Sequence, residues 1–285
     1  FESNKRILLF LIKEDIIKID EKIFQQITEA DYTQYKYPQY FAPEIKPFLT
    51  AEFIEKYRKN YFVYDWIEET LKDIPDDFER KRLEGENDNH MCELIRKHQT
   101  KDFIVYMNKE GYSYDGFINE SIFETNPILF NSNKEMKIIE YASFFGNMEI
   151  INFIVREEVE PISSMWEYSI HSENNELIQY LEDKKILPAD GKYKITLKES
   201  IKCHHIDVTK YILEYLIKEE DLEHDKENNF YNNLYRFSVE YYNYCFFPDN
   251  IKYKYMFHYL CEFDYYTLVN LYLKNEDIDI NKAII

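Results

Sequence analysis

The chain has 285 residues, of which 45% are hydrophobic and 31% are charged, a balance typical of a folded protein and not of a disordered one. The formal net charge of −19 argues against binding of nucleic acids, which are also negatively charged. The longest apolar run, Ile7 to Ile12, is far shorter than the about 20 residues of a membrane span. Four scattered cysteines without zinc or redox spacing, and no signal peptide, predict a cytoplasmic protein.

The N-terminal region reads as helices interrupted by turns. Apolar residues spaced by three and four between Ile7 and Ile27 predict helices with a break at Asp15 or Asp20. Three prolines within 37–48 forbid a continuous helix and predict an aromatic-rich loop. Residues 50–72 are predicted to be helical again.

The polar stretch 84–89 is the best candidate linker in the sequence. It divides the chain into an N-terminal helical region, residues 1–85, and a second region, residues 86–285. Because the chain begins with Phe1 and stops just after a segment that looks like the end of a repeat, we expect a fragment of a longer protein that continues beyond residue 285.

After residue 90 the chain repeats a pattern of a small or apolar residue, a polar turn and an apolar helix. The clearest copies run over 141–154, 168–181, 199–212 and 259–272. Their turn positions, Gly146, Glu173, His204 and Asp264, are separated by 27, 31 and 60 residues, and the last gap leaves room for one further unit within 225–247. Periods near 30 residues predict an all-α solenoid of stacked helix pairs, with a strand-like pattern only in short pieces such as 193–197.

These residues match the ankyrin-repeat pattern, in which T-P-L-H-x-A-A-x-x-G-H precedes an apolar helix and a G-A-D-V-N hairpin. The matching positions are Ala142, Gly146, Ile150, Ile151, Phe153, Ile154, Thr196, Leu197, His205, His258, Cys261 and 279–281, with a weaker unit from Cys92 to Gly111. With 37–48, 121–127 and 140–146, nearly the whole chain resembles a large family of protist proteins that carry an N-terminal domain of unknown function before degenerate ankyrin repeats. Most hairpin glycines are missing, which implies shorter and irregular hairpins.

Two groups of residues contain side chains that could bind a metal ion, and we interpret both as packing or capping residues instead. One is Cys203 with His204 and His205, and the other is His258 with Cys261. Paired carboxylates recur in three places and are interpreted as solvated surface: 76–77, 157–158 and 219–221. Without a phosphate-binding loop or a catalytic motif, the sequence predicts no enzymatic activity, no cofactor and no bound metal.

The resemblance to ankyrin repeats implies a protein-binding scaffold that uses its concave face, formed by first helices and hairpin tips. The candidate partner-binding residues, expected to be exposed on first helices, are Tyr141, Phe144, Phe145, Tyr168, His171, Glu199, Lys202, Tyr259 and Glu262. The negative charge predicts a protein partner with a basic surface. Two alternatives stay open: an enzyme in residues 1–85 for which the repeats are a targeting arm, and a structural spacer. The aromatic run between Phe230 and Phe247 is interpreted as core.

Overall fold

The structure, a computed structural model, describes residues 4–28, 36–59, 61–129, 135–217, 230–247 and 256–274. Within these ranges the chain forms 18 α-helices and no β-strand, with one isolated antiparallel bridge between Phe117 and Lys137. The predicted all-α class is therefore confirmed. None of the described helices is long and apolar enough to cross a bilayer. The helices are α1 (Lys5–Lys13), α2 (Glu21–Thr28), α3 (Tyr37–Tyr40), α4 (Ala42–Ile45), α5 (Ala51–Tyr57), α6 (Tyr61–Leu71), α7 (Phe78–Glu84), α8 (His90–Arg96), α9 (Thr100–Glu110), α10 (Ile138–Phe144), α11 (Met148–Arg156), α12 (Met165–His171), α13 (Asn175–Asp183), α14 (Lys194–Lys202), α15 (Ile206–Tyr211), α16 (Phe230–Glu240), α17 (Met256–Glu262) and α18 (Tyr266–Leu273).

The chain divides into two compact units, Phe1–Tyr141 and Ala142–Ile285. This division lies well after the boundary near residue 85 that composition predicts. The predicted linker is instead part of the first unit: the Asn87 side chain is buried and donates to the carbonyl of Asn119 at 2.9 Å. The backbone N–H of Asn87 donates to the buried carboxylate of Glu124 at 3.2 Å. A polar segment is a linker only when its polar groups form hydrogen bonds with water and not with the rest of the fold.

The proline-rich segment 37–48 is a helical part of the core and not a loop. It forms α3, α4 and a 3₁₀ turn, Lys46–Phe48, and each begins with a proline in its first turn. Proline suits that position because the first N–H groups of a helix have no partner within it. The prolines do prevent a continuous helix, as predicted, but the aromatic residues between them are buried. The cluster they join consists of Leu9, Phe24, Ile27, Tyr37, Tyr40, Phe41, Ile45, Leu49, Trp66 and Ile67.

The predicted interruptions of the N-terminal helices are found where polar residues can cap a helix. α1 is followed by Asp15, which has φ of 58°, and α2 begins just after Asp20, whose carboxylate accepts from the N–H of Ile23 at 2.9 Å. The predicted helix over 50–72 is divided into α5 and α6. Thr50 caps α5 by accepting from the N–H of Phe53. The predicted strand-like piece 193–197 is wrong, because α14 begins at Lys194.

In the second unit, helices are paired and the first helices of successive pairs lie against each other. The pairs are α12 with α13, α14 with α15, and α17 with α18. α12 contacts α14, α14 contacts α16, and α16 contacts α17. The segment 225–247, where the sequence leaves room for one further unit, contains α16, and this helix lies in the same row. After α16 the described chain has only a 3₁₀ turn, Tyr244–Phe246, and 225–229 lie outside the described residues.

The pairs share one kind of turn, built around a residue with positive φ. The N–H of that residue donates to the carbonyl three residues earlier, and the next N–H donates to the carbonyl five residues before it, which is the pattern of a Schellman motif. After first helices this pattern is found at His98, Gly146, His204, Tyr242 and Asp264, and Glu173 has the same backbone conformation between α12 and α13. The same pattern also ends α1, α11 and α13, at Asp15, Glu158 and Lys185. The turn thus has the same backbone conformation whether its positive-φ residue is glycine, as at Gly146, or another residue.

Small side chains and turn asparagines accompany these turns. The residue four places before each of four turns is small and fully buried: Ala142, Ser169, Ser200 and Ser238. Asn174 follows a turn and donates through its side chain to the carbonyl of Gly146 in the preceding turn, at 2.9 Å. Asn243 likewise donates to the carbonyl of Ile201, at 3.0 Å. Small residues let helices approach closely. The asparagine side chains connect neighbouring units, Asn243 through a buried hydrogen bond and Asn174 through a partly buried one.

The apolar positions of the second helices agree with the predicted alignment in part. Ile150, Ile151 and Ile154 are fully buried, and Phe153 is half-buried. The aligned Tyr180 is also half-buried, whereas the aligned Tyr211 is exposed. The sequence-matched 279–281 hairpin lies outside the described residues.

Replacing Gly146 by alanine should destabilise the fold more than the same change at Gly111. Both glycines have φ between 61° and 69°, so each alanine should cost about 1–2 kcal/mol for the left-handed conformation. A Cβ at Gly146 would lie 3.0 Å from the Cβ of Ser172 and 3.1 Å from that of Asn174, whereas one at Gly111 meets nothing within 4 Å. Cβ atoms cannot rotate away, so overpacking should add about 1–3 kcal/mol at Gly146 only. Urea unfolding of the two variants measures the difference, and equal losses would contradict the close contact between turns.

Candidate binding surface and the His171 cluster

Four of the nine candidate partner-binding residues are buried, which corrects the prediction that they are exposed. These are Tyr141, Tyr168, Glu199 and Tyr259. The other five reach the surface, Lys202 and Glu262 as exposed residues and Phe144, Phe145 and His171 as half-buried ones. The first helices lie against one another in the second unit, so one side of each is covered by its neighbours. Helical spacing alone does not show which side this is, because it gives a periodicity and no direction.

Tyr141 illustrates the correction in the first unit. Its hydroxyl lies 2.7 Å from Nη1 of Arg96, on α8, and Arg96 also donates to the carbonyl of Asn87 at 2.9 Å. Burial raises the pKa of the Tyr141 hydroxyl far above its usual range. The hydroxyl of Tyr141 therefore has its hydrogen-bond partner within the first unit, and the side chain is not available to contact another protein.

His171 is the centre of a cluster of polar and reactive side chains in the second unit. It is the last residue of α12, and its Nε2 lies 2.9 Å from Oε1 of Glu199 on α14. The sulfur of Cys203, one turn after Glu199, lies 3.5 Å from Nδ1 and 3.8 Å from Nε2 of the same ring. The ring of Phe144 stacks on His171, with 4.9 Å between ring centroids and 19° between planes. Lys202 contacts the same Glu199 oxygen at 2.9 Å.

The electrostatics of this cluster follow from burial and pairing. Burial acts to raise the pKa of the Glu199 carboxyl, but hydrogen bonds from His171 and Lys202 outweigh it and lower that pKa overall. Burial raises the pKa of the Cys203 thiol to about 11. The carboxylate is therefore charged and the thiol is neutral near neutral pH.

The two groups that the sequence analysis weighed as metal sites, and interpreted as packing or capping residues, are not brought together in the described residues. His205 faces Glu173, with 3.5 Å between Nδ1 and Oε1, and His204 is an exposed turn residue. His258 is exposed and faces Glu262 at 3.9 Å, while Cys261 is also exposed. The histidine that does approach Cys203 is His171, from the preceding helix pair. Alignment of the repeats places His171 and Lys202 at equivalent positions, two residues before their turns. Because equivalent positions of stacked units lie side by side, this alignment could have brought His171 close to Cys203, the neighbour of Lys202.

A groove lies between α13 and α15, the second helices of adjacent pairs. It has a volume of about 520 Å³, and its floor includes Ile178 and Val208. Its lining carries three carboxylates, Glu182, Asp183 and Asp207, and no basic side chain. The complete lining is Asn175, Ile178, Gln179, Glu182, Asp183, Asp207, Val208 and Tyr211. Apolar residues beside carboxylates can bind the side chain of a lysine or an arginine, or a peptide segment that contains several of these side chains.

Two tyrosines extend the groove at the α15 end. The hydroxyl of Tyr211 donates to the Glu182 carboxylate, 2.9 Å from Oε1 and 3.0 Å from Oε2. Tyr215 packs beside Tyr211 with ring centroids 5.2 Å apart, and 70% of Tyr215 is exposed. An exposed aromatic ring next to carboxylates offers a face for cation–π contact.

The first unit contains a buried lysine and a buried carboxyl group whose pKa values are shifted, the feature that would favour an enzyme there. Burial lowers the pKa of Lys5 to about 7, and burial raises the pKa of the Glu124 carboxyl. Both groups already have structural partners. Lys5 donates to the carbonyls of Ile122 at 3.0 Å and Glu124 at 3.2 Å, while the Glu124 carboxylate accepts from backbone N–H groups. Their perturbation is accounted for by packing of the chain around them.

The remaining interpretations of surface and core are met in part in the described residues. Asp76, Glu157 and Glu158 are exposed, Asp77 is half-buried, and 219–221 lie outside the description. In the aromatic run, Tyr235, Phe237, Tyr241, Phe246 and Phe247 are partly buried against apolar clusters of the second unit. Tyr242 and Tyr244 are exposed.

Compared with models of known protein families, with curated proteins and with solved structures, the chain shows no match.

Proposed function

We propose that this protein is a binding scaffold built from degenerate ankyrin-like helix pairs, and that it recognises a basic segment of another protein. Support for the repeats comes from the row of first helices, the shared turn at five positions, and the small buried residue before three of those turns and before the turn at Glu173. Repeats of this kind leave extended surfaces for partners. The resemblance to ankyrin-repeat proteins of protists agrees with the same function.

The observation that carries the proposal is the groove between α13 and α15. It combines an apolar floor, three carboxylates and a tyrosine, and its lining contains no basic residue. Arginine or lysine side chains would lay their methylene groups on Ile178 and Val208 and direct their charges to the carboxylates. The groove fits such a partner better than the first-helix face, where four of the nine candidate residues are buried.

A peptide titration tests this function. A fluorescein-labelled peptide of alternating arginine and leucine should bind the purified protein, and its affinity should fall as ionic strength rises. The matching peptide of glutamate and leucine should not bind. In the double variant E182K/D207K the affinity for the basic peptide should fall at least about tenfold, equivalent to about 1.4 kcal/mol.

The control separates the groove from attraction by net charge. Asp102 is an exposed residue on α9, in the other compact unit. The double variant D102K/E110K makes the same change in net charge without touching the groove, and its affinity for the basic peptide should stay close to that of the native protein. An equal loss in both double variants would contradict the groove as a binding site. Absence of binding by the native protein would favour the structural-spacer alternative.

A further inference from the structure

We propose that His171, Glu199 and Cys203 form a binding site for a single Zn²⁺ ion. This site is independent of the proposed scaffold function and lies on first helices, not in the α13–α15 groove. One ligand atom from each of the three residues lies within 4.8 Å of the others. Imidazole, thiolate and carboxylate are the side chains that bind zinc in proteins, and catalytic zinc sites often have three protein ligands with water in the fourth position.

Two of the three distances between ligand atoms are close to those around a tetrahedral ion, and the third, from the Glu199 oxygen to the Cys203 sulfur, is below 4.8 Å. Zinc bonds of about 2.0–2.3 Å place ligand atoms about 3.3–3.8 Å apart. His171 Nε2 lies 2.9 Å from Glu199 Oε1 and 3.8 Å from Cys203 Sγ. The nitrogen and the carboxylate oxygen need to separate by a few tenths of an ångström, which a rotation of the Glu199 side chain supplies.

The secondary structure holds these ligands in place. Glu199 and Cys203 are four residues apart, and Cys203 keeps helical backbone angles at the end of α14, so both side chains project from one side of that helix. His171 comes from the end of α12, which packs against α14. Phe144 stacks on the imidazole and fixes the plane of its ring. Ligand rings that are already oriented lose little freedom on binding an ion.

The charges of the site also balance. Zn²⁺ with the Glu199 carboxylate, a Cys203 thiolate and a neutral imidazole is electrically neutral, so a half-buried ion would carry no uncompensated charge. The thiol must release its proton to solvent on binding. Lys202 is the competing group, because its ammonium occupies a Glu199 oxygen at 2.9 Å. Its side chain is 40% exposed, so it can turn into solvent when the ion enters.

A titration with Co²⁺ as a spectroscopic substitute for zinc tests the site. The purified, chelator-treated protein, kept reduced with a phosphine, should bind one equivalent of Co²⁺. A thiolate-to-cobalt charge-transfer band should appear in the near ultraviolet and disappear on adding Zn²⁺. Cys203→Ser should abolish this band. His171→Ala should raise the Kd at least about tenfold, because even the loss of a group that hydrogen-bonds to a metal ligand weakens metal binding by about tenfold or more.

Two further variants distinguish this site from other thiols and from damage to the fold. Cys261→Ser removes an exposed cysteine that has a histidine three residues before it, and it should leave the band unchanged. Lys202→Gln removes the competitor and should lower the Kd several-fold, an effect that misfolding would not produce. Absence of a thiolate band in the native protein, its retention in Cys203→Ser or its loss in Cys261→Ser would each overturn the proposal. An unchanged or raised Kd in Lys202→Gln would contradict Glu199 as a ligand.

Discussion

Replacing Arg82 by alanine should lower the free energy of unfolding by about 3–5 kcal/mol, the usual loss when one partner of a buried ion pair is removed. The Arg82 side chain is fully buried, and its guanidinium makes two parallel hydrogen bonds of 2.7 Å to the carboxylate of Glu44. It also donates to the carbonyl of Tyr40 at 3.0 Å and lies 5.5 Å from the ring centroids of Tyr40 and Phe78. Alanine would leave a carboxylate and a carbonyl without this donor and open a cavity between α7 and the α3–α4 segment.

Arg80 is the matched control for this substitution. It lies on the same helix but is exposed, and it pairs with Glu84 at 2.6 Å and with Asp77 at 3.6 Å. Exposed ion pairs contribute about 0–1 kcal/mol, so Arg80→Ala should change stability little. Urea unfolding followed by circular dichroism compares the two variants. Similar midpoints for both would contradict the buried pair.

A second pair of variants asks whether the cost arises from the charge of Glu44 or from lost volume. Arg82→Met keeps most of the volume but leaves the Glu44 carboxylate without its partner. The double variant R82M/E44L removes both charges, and replacing a whole buried pair by apolar residues is often neutral or stabilising. We therefore expect the double variant to be more stable than Arg82→Met alone. The opposite order would show that packing, not the unpaired charge, dominates.

Replacing Lys5 by methionine should change stability most favourably at low pH, and the stability of the variant relative to the native protein should fall as pH rises. Loss of the hydrogen bonds to the carbonyls of Ile122 and Glu124 acts against the variant at every pH. Burial lowers the pKa of Lys5 from 10.5 to about 7. Glu124 and Glu120 act to raise this pKa and Lys36 acts to lower it, but burial outweighs them. The ammonium also lies over the rings of Tyr37 and Tyr40, 5.9 Å and 5.4 Å from their centroids. The charged form is thus less favourable in the folded chain than in the unfolded one.

The sign of the pH dependence follows from proton binding. Between pH 7 and pH 10.5 the unfolded chain keeps a proton on Lys5 that the folded chain has released, so the Lys5 contribution to stability increases with pH in this window. Below pH 7 the full penalty is present, and above pH 10.5 it is absent. Over the whole window it amounts to about 5 kcal/mol, at about 1.4 kcal/mol for each pH unit.

Urea unfolding at several pH values measures this contribution as a difference. From pH 6 to pH 9 the advantage of Lys5→Met over the native protein should fall by about 3 kcal/mol. Using the difference removes the effects of other groups, such as the Cys92 thiol, whose pKa burial raises to about 12. Lys18→Met is the control, because Lys18 is 79% exposed and should give a curve parallel to the native one. Parallel curves for both variants would disprove the buried ammonium.

The helical class of the protein could be predicted because it depends on local spacing. Apolar residues at intervals of three and four, few glycines and the recurring turn positions were enough to identify most helices and the breaks beside Asp15 and Asp20. The same pattern identified the buried residues of α11, Ile150, Ile151 and Ile154. The resemblance to ankyrin-repeat proteins stays a prediction, although the shared turn and the small residues before it agree with repeats.

Errors occurred where a neighbouring segment decided the outcome. Polar residues at 84–89 look like a linker until residues 119–126 provide partners for them, and the aromatic segment 37–48 looks like a loop until α2 and α6 pack against it. Tyr141 and Glu199 were expected at the surface because a helical repeat does not show which side its neighbour covers. Their burial depends on α8 and α12, which are distant in sequence.

The sequence by itself determined that this chain forms short amphipathic helices joined by recurring turns, since hydrophobic periodicity and capping act within a few residues. Only the tertiary structure decided which polar groups meet: Lys5 with the 122–124 carbonyls, Arg82 with Glu44, and His171 with Glu199 and Cys203. These contacts join residues that are 28 to 119 positions apart. Their geometry is set by how helices pack, and burial then sets the charge and reactivity of each group.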